Sequence, residues 1–223
     1  PSGTSIGILG RTGSGKTTMI NLLTRFYQVE KNMIFIGNKD FLSYSTKEIR
    51  NLFGIVPQDN FLFSTSIESN IAFSNSIMAD QEKIKSTASI SQIDEEIQSF
   101  PDGFETILGE RGINLSGGQK QRVSIARALY KQPKILILDD SLSAVDTDTE
   151  ERILQHLKTE LASRTTIVIS HRISTFKNLD AIAVLDEGKI TEYGTHDELI
   201  KNRGLYYDIY KKQLIEKALQ EEE

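Results

Sequence analysis

Cysteine is absent from the 223 residues. That excludes disulfides and thiolate metal sites. No apolar run approaches the ~18 residues of a membrane span, and no signal-peptide pattern opens the chain. A chain soluble in itself is expected. Runs of Lys or Arg are missing as well. With 26 basic against 31 acidic residues the net charge is −5, which argues against a nucleic-acid groove. Internal repeats, low-complexity linkers and sustained heptads are not found. What is there is a chain 38% hydrophobic, long enough to bury a full core as one domain with a subdomain.

One glycine-rich run stands out: Gly10-Arg11-Thr12-Gly13-Ser14-Gly15-Lys16-Thr17. It fits G-x-x-x-x-G-K-[ST], the P-loop pattern. Before it, residues 5–9 read as a buried strand; from Lys16, residues 16–26 read as a helix. Strand, glycine loop and helix in that order aim backbone N–H groups and the positive end of a helix dipole at one point, which suits a polyphosphate. Lys16 adds a point charge at the β- and γ-phosphates, and Thr17 a hydroxyl ligand for Mg²⁺. The bland alternative is a glycine-rich turn that matches by chance. Strand and helix both in place speak against it.

A second run is Leu115-Ser116-Gly117-Gly118-Gln119. Ser116 and Gln119 fit the capping box S-x-x-Q, opening a helix over 117–130 with Val123, Ala126, Leu129 and Tyr130 as its core stripe. Capping alone does not call for Gly117 and Gly118, which are poor helix formers. Bare backbone at a helix N-terminus lets a charged ligand come close.

Elsewhere strand and helix alternate. Residues 135–139, 166–170 and 181–185 are continuously apolar, as parallel strands covered on both faces are. A helix over 147–161 carries Ile153, Leu154, Leu157 and Leu161 on one face, with a capping box at Thr147 and Glu150. Thr195 and Glu198 form another box before a short helix. Between Gln58 and Pro133 the pattern is helical, as over 80–90. The tail Gln220-Glu221-Glu222-Glu223 reads as a frayed helix end.

Taken together, these motifs resemble the nucleotide-binding domain of an ATP-binding cassette (ABC) transporter, with LSGGQ as the family signature. Phe53-Gly54-Ile55-Val56-Pro57-Gln58 resembles the strand entering the Q-loop, and Ile135 to Asp140 resembles Walker B. Ser143-Ala144-Val145-Asp146 is similar to the D-loop, and Ile169-Ser170-His171-Arg172 to the switch-histidine segment. Thr106 to Gly112 resembles the exporter X-loop, with Ile107 where an acid usually stands. The segments Leu62 to Ile67, Asn70 to Ala72, Leu185 to Ile190, Glu192 to Leu199 and Gly204 to Tyr210 add to the exporter likeness.

The resemblance implies an α/β fold: a P-loop NTPase (RecA-like) core with a mostly parallel sheet, from residues 1–57 and 134–223, plus an inserted helical subdomain over 58–133. It implies ATP and Mg²⁺ as cofactors. Gly10, Arg11, Thr12, Gly13, Ser14, Gly15, Lys16, Thr17 and Thr18 would hold the phosphates; Thr17, Gln58 and Asp139 would reach the metal. His171 would contact the γ-phosphate, whereas His156 and His196 read as surface residues. Ser116, Gly117, Gly118, Gln119 and Asp146 would face the nucleotide of a second, head-to-tail domain. The partners implied are thus a second nucleotide-binding domain and an exporter's transmembrane domain, at the cytoplasmic face of the membrane, with no nucleic acid. Catalysis would rest on Asp140, His171 and Gln58.

Asp140 departs from the pattern, because the family usually has Glu there to orient the attacking water. One methylene fewer shortens the reach by up to ~1.5 Å. A misplacement of ~1 Å can cost on the order of 10²-fold in rate, roughly 2.7 kcal/mol of barrier. Such Asp substitutions resemble the degenerate half of heterodimeric exporters, so a weakly hydrolytic site with an intact signature for its partner is expected. Competing readings are a regulatory clamp that binds ATP without hydrolysis and a non-transport ABC ATPase. The missing heptads speak against a chromosome-maintenance protein, the missing cysteines against zinc-bearing DNA-repair relatives, and the single cassette against a translation-type protein.

The family's N-terminal antiparallel strands, one of which carries the adenine-stacking aromatic, do not precede Pro1-Ser2-Gly3; the chain resembles a domain cut short or a piece of a longer polypeptide. Binding mainly through phosphates is therefore expected. ATP and GTP should compete almost equally in a displacement titration. A preference for ATP above roughly tenfold, 1.4 kcal/mol, would reveal a base-recognising residue.

Overall fold

The structure, a computed structural model, describes residues 3–74, 79–112, 114–160 and 164–221. Pro1, Ser2, Leu161, Glu222 and Glu223 lie outside them. The strands are β1 (Ser5–Gly10), β2 (Phe35–Ile36), β3 (Lys39–Asp40), β4 (Phe53–Val56), β5 (Ile135–Asp139), β6 (Thr165–Ile169), β7 (Ala181–Asp186) and β8 (Lys189–Gly194). The main sheet has the order β4-β5-β6-β1-β7-β8, parallel except for β8, and β2 pairs with β3 in a small antiparallel sheet. β8 follows β7 through Glu187 and Gly188, both at positive φ (47° and 76°); such a turn matches the twist of the strands it joins.

Alternation of side chains across the sheet divides its core in two. Leu136, Leu138, Val56 and Val168 face Ile125, Leu129, Ile153 and Leu157. Ile137, Ile8 and Ile169 face Ile20, Ile49 and Phe41. Burial on both faces explains why Leu136-Ile137-Leu138 are apolar without interruption.

The helices are α1 (Lys16–Leu23), α2 (Thr46–Leu52), α3 (Ile67–Ile71), α4 (Gln81–Ile90), α5 (Asp94–Ser99), α6 (Gly117–Tyr130), α7 (Thr147–Glu160), α8 (His196–Asn202) and α9 (Leu205–Glu221). A further core forms where α3, α4 and α5 surround α6, with Ile71, Ile84, Ile97 and Val123 fully buried. α6 has no single core stripe. Val123, Ala126 and Tyr130 enter this helical core, while Ile125, Ala128 and Leu129 enter the core under the sheet. The helix therefore joins the two.

Local chemistry moved several boundaries. α1 stops at Leu23 rather than reaching Phe26, because Arg25 takes a left-handed φ of 55° and Phe26 N–H donates to Asn21 O at 2.8 Å, a Schellman ending. α7 is capped by Asp146, whose carboxylate accepts from Thr149 N–H at 2.9 Å. Thr147 and Glu150 do not form the expected box, because Glu150 is buried against Thr175 and Arg172. The boxes at Ser116/Gln119 and Thr195/Glu198 are both present. His196 is partly buried, not a free surface residue: its Nδ1 lies 2.7 Å from the hydroxyl of fully buried Tyr206. His156 is partly buried too, 3.2 Å from the Gln92 amide. Among the described residues, no helix is long and apolar enough to cross a membrane.

Gly54 shows how tightly β4 sits on the turn after α6. A Cβ there would lie 2.6 Å from Pro133 Cγ and 3.0 Å from Ala128 O, neither of which can rotate away. Gly54→Ala should cost about 1–3 kcal/mol and lower the Tm by roughly 3–10 °C. Calorimetry checks it; an unchanged Tm would mean that this contact yields freely.

Candidate functional site

Register brings the chemistry to one edge. Gly10 pairs with Leu185, Ile8 with Ile169, Asp139 with Ile169, and Val56 with Leu138. The carboxyl ends of β1, β4, β5 and β6 are thus neighbours, and the residues just beyond them (Arg11 to Gly15, Gln58, Asp140, and Ser170 with His171) leave the same edge. Open α/β sheets bind ligands there.

The loop after β1 is held by short bonds. Ser14 N–H donates to Arg11 O at 3.1 Å and Gly188 N–H to Ser14 O at 3.0 Å. Gly13 and Gly15 have φ of 83° and 106°, where a side chain would be strained. At Gly10 a Cβ would strike Ser14 Oγ at 2.4 Å and Leu185 O at 2.5 Å. α1 then starts from Gly15 with no side-chain cap, so Lys16, Thr17 and Thr18 open the helix with donor N–H groups facing outward. Ser14 Oγ is buried and has no hydrogen-bond partner among the described residues. An uncapped helix N-terminus beside an orphaned hydroxyl fits an anion with several acceptor oxygens.

Charges converge on the same place. Lys16 Nζ bends back to donate to Gly10 O at 2.7 Å and Arg11 O at 2.9 Å. Burial lowers its pKa from the ordinary lysine value, while Asp139 and Asp140 pull it back up. The Asp139 carboxyl is pushed up, first by burial and then by Asp140 beside it, against the opposing pull of Lys16 and His171. Lys16, Asp139, Asp140 and His171 therefore share one field. Asp140 sits at φ 47°, a region that Asp tolerates better than most residues. Its N–H donates to Ile169 O at 2.8 Å and its carbonyl accepts from Ser143 Oγ at 2.8 Å, so the backbone turn belongs to the fold. Among the described residues no group of three or more His, Cys, Asp or Glu is placed to hold a metal. A single carboxylate with a hydroxyl and an amide suits Mg²⁺, which keeps several waters and takes phosphate oxygens.

The signature residues have other surroundings. Ser116 caps α6 through Gln119 N–H, and the Gln119 side chain accepts from Ser116 N–H at 2.8 Å while donating to Glu96 at 2.8 Å. A Cβ on Gly118 would lie 2.9 Å from Ala144 O, so packing against the D-loop also requires that glycine. Ser116 and Gly117 remain exposed.

Sequence reasoning overlooked the residues that hold these segments in place. The Gln121 amide donates to Ser143 Oγ at 3.2 Å and accepts from Ala144 N–H at 2.9 Å. Arg172 donates to Ser143 O at 2.6 Å and Val145 O at 3.0 Å, and pairs with Glu150 at 3.2 Å. A polar Gln121 between two apolar faces of α6 was the one available signal. Arg172 and Glu150, 22 residues apart, carried none.

A family model described as "ABC transporter" matches residues 1–143. The chain is 48% identical, over 94% of its length, to the "Uncharacterized ABC transporter ATP-binding protein YknU" of Bacillus subtilis (strain 168), of which it covers 36%. It is 42% identical, over 96% of its length, to an "ATP-dependent lipid A-core flippase" of Coxiella burnetii (strain RSA 493 / Nine Mile phase I), again covering 36%. Among solved structures it is similar to a bacterial Atm1-family ABC exporter with ATP bound, with a TM-score of 0.90 and 41% identity, over 95% of this chain and 37% of that one. The chain thus spans about a third of the length of these relatives.

Lys16 is the cation that folds back onto the loop. Lys16→Ala should abolish most nucleotide affinity, because that fixed charge is lost, and should leave the fold intact. Titration calorimetry with ATP beside circular dichroism checks this; wild-type-like affinity would remove the phosphate-binding role from the loop.

Proposed function

The chain belongs to the ABC transporter family as an exporter-type ATPase domain, and we propose that it binds Mg-ATP, hydrolyses it slowly at its own site, and powers export through a transmembrane partner. The observation that carries this reading is the meeting of the uncapped α1 N-terminus, unpartnered Ser14 Oγ, Lys16, Asp139 and Asp140 at one sheet edge.

In this reading the loop amides and Lys16 bind and orient the phosphates. Magnesium, when bound, would neutralise phosphate charge, and Thr17, Gln58 and Asp139 would hold it. Asp140 holds the attacking water, and His171 contacts the γ-phosphate. The shorter Asp140 side chain makes the site a weak hydrolase. Ser116, Gly117, Gly118, Gln119 and Asp146 serve the nucleotide of a second domain in a head-to-tail heterodimer, which agrees with the exposure of Ser116, Gly117 and Asp146 and with the packing of Gly117 and Gly118 against Ala144. The transmembrane partner is supported by an exposed aromatic group next to the X-loop. Phe61 and Phe73 are half exposed, Phe63 stacks on Phe73 at 4.6 Å, and Ile107 is 65% exposed where it bridges to Ser66. Such an arrangement would place the chain at the cytoplasmic face of a membrane.

The ATPase rate of the assembled pair tests the reading at Asp140. Asp140→Glu should raise hydrolysis at this site by one to two orders of magnitude if reach is limiting, at a small cost for holding the longer acid at positive φ. Asp140→Asn should change the pair's turnover little, and Ser116→Arg should nearly abolish it. If Asp140→Asn is as damaging as Ser116→Arg, Asp140 is an ordinary catalytic residue. If turnover is absent in every variant including the wild type, the regulatory clamp is the better reading.

A further inference from the structure

Between the end of β6 at Ile169 and the 3₁₀ turn at Ile173–Phe176, the chain passes through Ser170, His171 and Arg172, which pair with no strand among the described residues. Their backbone groups must still find partners. Arg172 N–H donates to Ser170 Oγ at 3.0 Å. The next two are served by one side chain 40 residues on: the Gln213 amide donates to His171 O at 2.6 Å and accepts from Ile173 N–H at 2.9 Å. In a parallel ladder, one residue's N–H and C=O bond the residues on either side of its opposite number. The Gln213 amide repeats that pattern across Arg172, as a one-residue strand supplied by α9.

We propose that Gln213 is a positioning residue for His171, holding the switch segment so that the imidazole keeps its place at the γ-phosphate; this rests on the proposed role of His171. The rest of α9 does not need this amide to stay docked. Tyr206, Ile209 and Tyr210 pack with Ile173, Phe176 and Leu199 in an apolar core of their own. What the amide adds is direction. An amide matches a C=O and an N–H two residues apart, whereas a carboxylate lacks the donor and an alkyl group lacks both. His171 is exposed and reaches Asp139 through charge, so its neighbouring backbone is what Gln213 can fix.

The test is ATP and ADP affinity by titration calorimetry for the chain and for Gln213→Leu, Gln213→Glu, His171→Ala and the double variant Gln213→Leu/His171→Ala, with Tm recorded for each. Gln213→Leu should weaken ATP binding roughly three- to tenfold, as the loss of such hydrogen bonds does, and leave ADP within about twofold. Gln213→Glu should shift ATP affinity the same way by less, and it decides the matter if Gln213→Leu fails to fold. In the His171→Ala background Gln213→Leu should add nothing, because the two act through one contact. Equal losses for ATP and ADP, or the same ATP loss with and without His171, would overturn the proposal and leave a merely structural glutamine. If His171→Ala itself leaves the preference for ATP over ADP unchanged, the reading of His171 fails, and the positioning role falls with it. If only the Gln213 variants are silent, the proposal alone falls.

Discussion

The register of five parallel strands is the constraint on which everything else in this molecule rests. β1 lies between β6 and β7, and β5 lies between β4 and β6, so four chain segments far apart in sequence must leave the sheet side by side. A slip of one residue in any strand would move every side chain to the opposite face. With Leu136, Ile137 and Leu138 all buried on one face or the other, such a slip would force both cores to repack. The hydrophobic layers above and below the sheet thus set the positions of Lys16, Asp139, Asp140 and His171 to the accuracy of a backbone ladder.

α6 carries that order outward. Its two faces are buried in different cores, one of helices and one under the sheet, so neither can shift without disturbing the other. At its N-terminus it presents Ser116 and Gly117. One turn on, Gln121 grips Ser143 and Ala144 of the D-loop. Arg127, whose pKa burial lowers to about 10, donates to Asn70 O and Phe61 O at 2.8 Å, tying the aromatic segment after Gln58 to the same helix. Signature, D-loop and aromatic surface are therefore fastened to one rigid element.

Polar fasteners complement the apolar ones. Glu150 is 3% exposed and answers Thr175 and Arg172, and Arg172 in turn holds the carbonyls of Ser143 and Val145. A buried carboxylate left without partners costs far more than the pair gains, so the D-loop and the switch segment keep a common geometry. This differs from the hold that Gln213 has on His171, which sets direction and is not needed to bury surface.

The sequence by itself determined the alternation of strand and helix, the helix starts at Ser116 and Thr195, and the glycine loop between β1 and α1, because those depend on local rules: apolar runs, hydroxyl and glutamyl caps, and glycines that reach positive φ. Asp139, Asp140 and His171 stood out only through the resemblance of their short segments to the family's motifs. Only the tertiary structure decided the rest. Glu150 looked like a capping residue, yet burial against Arg172 claimed its carboxylate and left the cap to Asp146. His196 reads as a surface residue in the sequence, but the fold sets its ring against buried Tyr206. α6 showed one apolar stripe, and the second became visible only once the sheet lay against it. The Gln121, Arg172 and Gln213 contacts join residues 22 to 42 positions apart, and no local pattern announces them. A hydrogen bond between distant segments is chosen by where the packed core leaves a donor facing an acceptor, and that is a property of the folded chain.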